Sequence, residues 1–283
     1  LRVGDGFGGC FFWKTDVLAQ IQSRQLPPEL WRWSDDTAMG QCVLKCLELH
    51  QQIEPDALAR LFADEYCRDP VRGYGTMAHT VLDDLGQGVP WQQAAGQIYD
   101  GAGSCGNGAA MRAGPLGAYF ADDVERVVEE ARRSAMVTHA HREGQAGAVA
   151  VAVAAAWAAT VGEQGVDASS PAPDGRPMLE QVWTHTPDGA TRSNLERALN
   201  LPLERSPTEA AALLGSGQKI TAEDTVPFAL WCAARHLHSY SEALWTTLAG
   251  EGDMDTTCAI VGSVVALCAS QGIPTEWLAR TEL

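Results

Sequence analysis

Much of what would assign this chain quickly is missing from it. Its eight cysteines, at 10, 42, 46, 67, 105, 232, 258 and 268, form no CxxC pair. That argues against a structural zinc framework, and cysteines placed like this read as small reduced hydrophobes of a cytoplasmic protein. A basic stripe is also absent. The 36 acidic residues against 20 Lys and Arg leave a net charge of −16, which excludes a generic nucleic-acid binder. Small anionic ligands stay open, because local backbone dipoles can offset a global field. No Lys-Ser/Thr pair completes a Walker loop, and no strand precedes the run Gly4-Asp5-Gly6-Phe7-Gly8-Gly9, so a Rossmann reading fails. Close helix packing accounts better for those glycines. Neither a Ser-His-Asp nor a Cys-His spacing is present, and Cys105 is the one conceivable thiolate. No signal-peptide pattern or solenoid repeat is visible. The longest apolar run, Ala146–Val161, falls short of spanning length and reads as a tightly packed central helix rather than a membrane segment.

What the sequence does have is helical periodicity, with almost no strand-like alternation. Apolar spacing predicts helices over 37–50, 55–66, 76–87, 107–119, 121–136, 142–160, 193–199, 208–214, 222–236, 241–248 and 255–269. The 283 residues are 46% hydrophobic, ample for one sizeable core. The expectation is an all-α, compact helical bundle forming one domain over 1–283, with a Pro/Gly-rich surface loop at about 162–187.

Two acidic clusters of similar design carry the chemistry. Ser34-Asp35-Asp36-Thr37 opens one apolar helix and Asp253-Met254-Asp255-Thr256 opens another, far away in sequence. Ser, Asp and Thr are preferred helix N-caps, so plain capping is one reading. A cap needs one side chain, however, and each cluster offers two carboxylates beside an apolar interior, where like charges repel. Hard oxygen ligands delivered twice suit a divalent cation. Further on, Gly101–Gly108 leads into a predicted helix at Asn107; such a loop lets backbone approach a ligand, and its N–H groups favour a phosphate. A flexible turn is the other reading. In Thr138-His139-Ala140-His141 the i, i+2 histidines do not share a helix face, so zinc is a poor fit, but one could reach a phosphate or ribose. Arg72-Gly73-Tyr74-Gly75 offers a cation and an aromatic suited to a pocket wall, or an ordinary turn. Trp31 and Trp33 flank the first cluster as core or as wall.

The order of these landmarks resembles the ADP-ribosylglycohydrolases, an all-α, magnesium-dependent family that includes dinitrogenase reductase-activating glycohydrolase. Gly4-Asp5, Ser34–Thr37, Arg72–Gly75, Gly106-Asn107-Gly108-Ala109-Ala110-Met111-Arg112, Thr138-His139 and Gly252–Thr256 match in sequence order over nearly the whole chain. The resemblance implies a binuclear Mg²⁺ site, with Mn²⁺ as the alternative ion. Ser34, Asp35 and Asp36 would form one ligand group and Asp253, Asp255 and Thr256 the other, with Asp36 and Asp255 as the catalytic carboxylates. ADP-ribose would lie against Ser104, Cys105, Gly106, Asn107, Gly108 and His139, with Met111, Tyr74 and Gly75 nearby. The implied reaction is hydrolysis of the glycosidic bond at the distal ribose of an ADP-ribosylated protein or an ADP-ribose derivative, with ADP-ribosyl-arginine as the default.

Three positions depart from the family pattern. Phe11 stands where a Glu near the metals is common, which turns the reading away from serine-linked substrates. Cys105 replaces a frequent aromatic, and Glu251 a usual Gly. Serine-linked or small-molecule derivatives remain the alternative substrates. A non-catalytic ADP-ribose binder and a metal-dependent phosphohydrolase are the alternative classes.

Overall fold

Glycine and alanine decide how closely the helices of this protein approach one another. The computed structural model describes residues 1–12, 17–28, 30–165 and 174–283. In its first third run α1 (Arg2–Gly9), α2 (Val17–Ser23), α3 (Asp35–His50), α4 (Pro55–Arg68), α5 (Thr76–Gly86) and α6 (Trp91–Gly96). A 3₁₀ turn at Asn107–Ala109 precedes α7 (Gly114–Tyr119), α8 (Val124–Met136) and α9 (Arg142–Glu163). Then come α10 (Arg176–His185), α11 (Ala190–Asn200), α12 (Pro207–Leu214), α13 (Ala222–Arg235), α14 (Tyr240–Leu248), α15 (Met254–Val265) and α16 (Thr275–Arg280). Among the described residues there is no strand, only two isolated bridges. The all-α bundle is as expected.

Helix α9 is the axis. By length and composition it could cross a membrane, yet 72% of its apolar window is buried inside the protein. Its Ala and Val side chains pack against α7, α8, α10, α13 and α15. Small residues let these neighbours come close: a Cβ on Gly117 of α7 would collide with the Ala152 carbonyl of α9. The Gly4–Gly9 run forms α1 and lies along α15. A Cβ at Gly4 or Gly8 would collide with the carbonyl of Cys258 or Met254, so these glycines are a packing face, as the sequence suggested. This close approach brings Asp5 against the first acidic cluster.

Two expectations need correction. Apolar spacing extended one helix over 107–119, but the chain makes only a 3₁₀ turn at Asn107–Ala109 and resumes as α7 at Gly114. The 162–187 stretch is not one loop either: α9 continues to Glu163, and α10 occupies Arg176–His185. Pro177 stands in the first turn of α10, where a missing N–H costs nothing, so it starts a helix rather than breaking one. Residues 166–173 of that stretch lie outside the described residues.

Candidate active site

Helices α3 and α15 meet at their N-termini, where Asp36 and Thr256 are 220 residues apart in sequence. Thr256 Oγ1 reaches Asp36 Oδ2 at 3.5 Å, and carboxylate oxygens of Asp5, Asp36 and Asp255 lie within 4.8 Å of one another. The two clusters predicted to converge do converge.

Capping explains only part of their composition. Ser34 is the N-cap of α3; its Oγ accepts from Asp36 N at 3.3 Å and donates to Asp36 Oδ2 at 2.7 Å. Asp253 occupies the N-cap position of α15, yet its carboxylate makes no capping bond. It accepts instead from Asn107 Nδ2 at 2.7 Å. Asp255 Oδ1 accepts from Thr256 N at 2.8 Å. Asp36 Oδ1 is buried without a hydrogen-bond partner. Such an oxygen is costly unless something positive meets it.

The electrostatics point the same way. Burial, then the charges of Asp255, Asp5, Asp35 and Asp253, push Asp36 well above the usual carboxylate range. Burial, Asp253 and Asp5 do the same to Asp255. Asp35 is pushed up to about 7 by burial and then by Asp5 and Asp253. Carboxylates crowded so closely resist ionising together unless a cation joins them. An orphaned oxygen, hydroxyls from Ser34 and Thr256, and an all-oxygen donor set fit a hard divalent ion.

Asp5 entered the sequence reading only as a landmark beside Gly4. Both its oxygens accept from Ser34 N, at 3.0 and 2.9 Å, and Oδ2 also accepts from Thr37 N at 3.1 Å and from Thr37 Oγ1. It is fully buried and anchors the first cluster to α1. The signal for it was a lone acid on the glycine-rich face of a helix. Arg72 braces the same cluster: its carbonyl accepts from Asp35 N at 2.8 Å, and its guanidinium holds Glu282, Asp69 and the Trp33 carbonyl. Arg72 lies over the Trp33 ring at 3.6 Å, while Trp31 is fully buried among Phe7 and Trp277.

A cavity of about 410 Å³ opens beside the carboxylates, within the size of a small-molecule site. Asp35, Asp36, Asp253, Asp255 and Thr256 form its acidic end. Gly75, Ser104, Cys105, Gly106, Asn107, Gly108, Met111 and His139, all expected to touch substrate, line it as well. The apolar face of α5 and the loop at Lys219–Thr221 complete the wall; the sequence reading included neither. Gly103 (φ +75°) turns the loop where a Cβ would meet the His141 backbone.

Three expected roles change. Tyr74 is buried edge-on against Tyr66, ring centroids 5.1 Å apart, and does not line the cavity. Asn107 Nδ2 is committed to Asp253 and to Thr225 Oγ1 (3.0 Å), so this residue positions the second cluster as well as lining the cavity. The N–H groups of Gly106 and Asn107 are also engaged, with Ser104 Oγ and the Ile220 carbonyl, so these two donors of the loop are already taken. Phe11 is fully buried against Phe7 and Trp245, one helical turn beyond Phe7. At that position the side chain packs into an aromatic core and offers no carboxylate to the acidic site.

Comparison with known proteins agrees with this arrangement. A family profile described as ADP-ribosylglycohydrolase matches residues 1–283. ADP-ribosylhydrolase ARH3 of Xenopus tropicalis is 28% identical over 319 residues, covering 99% of this chain and 88% of that protein. The Homo sapiens protein of the same name is 29% identical over 306 residues, covering 93% and 80%. A solved structure named as an ADP-ribosylglycohydrolase-related protein complex aligns with a TM-score of 0.69 at 23% identity. It covers all of this chain, 89% of its own, and shares the fold. With every residue inside the matched region, the chain belongs to the ADP-ribosylglycohydrolase family.

Proposed function

We propose that this protein hydrolyses the glycosidic bond at the distal ribose of ADP-ribosylated substrates and releases ADP-ribose. The observation that carries the reading is the meeting of two acidic helix starts at one end of a cavity whose other wall is a glycine loop. Ser34, Asp35 and Asp36 on one side, and Asp253, Asp255 and Thr256 on the other, would hold two Mg²⁺ ions or their Mn²⁺ equivalents. Such ions acidify water and ribose hydroxyls and screen neighbouring carboxylates from one another.

The chain's own residues then divide the work. Ser104, Gly106, Gly108 and His139 border the part of the cavity that would take the diphosphate and ribose. Asp36 and Asp255 would accept a proton from the attacking water. Positive charge developing on the ribose in an oxocarbenium-like transition state would face Asp35, Asp36, Asp253 and Asp255, which stabilise it electrostatically. Arginine-linked ADP-ribose remains the default substrate, since a guanidinium leaving group suits a chain of net charge −16. Phe11 stands where the family commonly has a Glu, so serine-linked ADP-ribose is kept as the alternative substrate.

One assay tests both levels of the reading. Protein with Mg²⁺ is incubated with arginine-, serine- and small-group-linked ADP-ribose, and products are separated. Free ADP-ribose from one linkage supports the reading and names the leaving group. AMP or phosphate would transfer the protein to the phosphohydrolases, and no product from any substrate would make it a binder.

A further inference from the structure

The mechanism above makes no use of Arg112, yet this guanidinium is fully buried and no carboxylate pairs with it among the described residues. Nη1 donates to the Gly108 carbonyl at 2.9 Å and reaches Met39 Sδ at 3.7 Å. Nη2 donates to Thr138 Oγ1 at 2.8 Å and to the Ser134 carbonyl at 3.3 Å. The group lies 4.5 Å over the Phe62 ring. Thr138 Oγ1 in turn is 2.7 Å from His139 Nδ1. A buried cation is thus wired through one hydroxyl to a cavity histidine.

We propose that Arg112 and Thr138 are positioning residues that lock His139 in the neutral tautomer with its proton on Nε2. That N–H then donates to a phosphoryl or ribose oxygen of the nucleotide in the cavity. The ligand half of this proposal rests on the reading of the cavity as an ADP-ribose site; the tautomer half does not.

A guanidinium can only donate, so the Thr138 oxygen receives a proton from Arg112 and must give its own elsewhere. Among the described residues His139 Nδ1 is the one acceptor in reach of that hydroxyl. A cation bonded to the oxygen also polarises the O–H and strengthens it as a donor. Nδ1 is therefore the bare nitrogen, and Nε2 carries the hydrogen. The opposite tautomer would strand the threonine proton and turn a lone pair towards an anionic ligand. Burial and then the Arg112 charge bring His139 down to about 3, so the ring stays neutral at any physiological pH.

The other edge of the ring is prepared for a ligand. Nε2 has no hydrogen-bond partner among the described residues, although His139 is only 9% exposed and lines the cavity. It faces the backbone of Gly106 and Gly108, where an added Cβ would stand 3.4 Å from it at either position. The glycines leave that edge open. Arg112 holds the Gly108 carbonyl as well as Thr138, so one guanidinium fixes both the donor and the loop it faces.

The test is nuclear magnetic resonance on protein labelled with ¹⁵N-histidine. The chain has seven histidines, and the His139 signals are those lost in His139→Gln. The expected wild-type spectrum has a pyridine-type Nδ1 and a pyrrole-type Nε2. Thr138→Val keeps the shape and removes the hydroxyl. It should produce a mixture of tautomers and weaken ADP-ribose about tenfold, the worth of one well-made hydrogen bond. Thr138→Ser should restore both. A proton on Nδ1 in the wild type overturns the proposal without any variant needing to fold. Unchanged ring signals and affinity in folded Thr138→Val overturn it too. A wild type with the expected tautomer that fails to bind ADP-ribose would sink the functional reading and leave the Arg112–Thr138–His139 assignment standing.

Discussion

The two acidic clusters read almost alike in sequence and are held in place by different means. The first is wired to scaffold: Asp5, buried in α1, accepts three hydrogen bonds from the backbone of Ser34 and Thr37, and Arg72 takes Asp35 N from the other side. The second is wired to the cavity wall. Asp253 is gripped by Asn107 of the glycine loop, and its N–H donates to the Ser216 carbonyl, beside the left-handed pair Glu251 and Gly252. One half of the site is therefore held by the scaffold, while the other half shares its supports with the cavity wall. Disturbance of the loop should reach the second cluster and spare the first.

The largest expected effect removes the charge both halves share. Asp36→Asn should lower turnover roughly 1000-fold or more, because the site loses a ligand and a transition-state carboxylate together. The same variant should melt higher than wild type in chelator, since one of several repelling buried acids is gone. Magnesium should then add little to its melting temperature. A variant of wild-type activity would refute the metal-site assignment. Unchanged chelator stability would refute the claim that the acids repel.

Next come the supports, and here the two clusters should separate. Asp5→Ala leaves the N–H groups of Ser34 and Thr37 unpaired in a buried site, costing about 3 kcal/mol and showing directly in thermal or urea unfolding. Asn107→Leu should cost less stability but weaken metal binding about 10- to 100-fold, as loss of a ligand's hydrogen-bond partner does. Calorimetric titration with Mg²⁺ on both variants decides the comparison. If Asn107→Leu bound metal like wild type while ADP-ribose affinity fell, Asn107 would be a ligand contact after all.

How much of this was legible follows the same division. The clusters could be found because each concentrates acids at the head of an apolar helix, a local pattern. Their convergence followed from chemistry: hard ligands supplied twice imply one site. Asp5 was hidden because the Gly4–Gly9 run has poor intrinsic helix propensity, and α1 exists only through its close packing on α15. Tyr74 sits between Gly73 and Gly75, which line the cavity, and Asn107 lines it itself. Which way each side chain turned depended on Tyr66 and Asp253, partners that no local pattern reveals. The missed helix α10 shows the same limit: Pro177 has opposite meanings at the head and in the middle of a helix.

Acidity distinguishes the empty from the loaded clusters more gently. The folded protein holds Asp35 at about 7, and raises Asp36 and Asp255 as well, whereas the unfolded chain titrates near the ordinary value of about 3.9. Between those values the folded state keeps protons that the unfolded state has released. The stability this contributes is complete in acid and is lost as pH rises through about 7. In chelator the melting temperature should therefore fall from pH 5 to pH 8. Added Mg²⁺ selects the ionised carboxylates, so the gap between the two curves should widen over the same interval. Parallel curves would mean that the acids are already ionised without a cation.

The smallest effect probes the edge of the site. Tyr74 adjoins Gly73 and Gly75, which both line the cavity, but its ring packs on Tyr66 and His79 inside the protein. Burial and the nearby Asp35 charge raise its phenol to well above the physiological range, so it stays protonated and supplies no phenolate at neutral pH. Tyr74→Phe keeps the packing and removes the hydroxyl. Turnover and KM should stay within about twofold of wild type, in line with a change away from reacting groups. A fall in kcat/KM of tenfold or more, with the melting temperature unchanged, would put the hydroxyl on the substrate. The brace that Arg72–Gly75 gives to Asp35 would then double as a binding surface, and the first cluster would depend on the ligand as the second does.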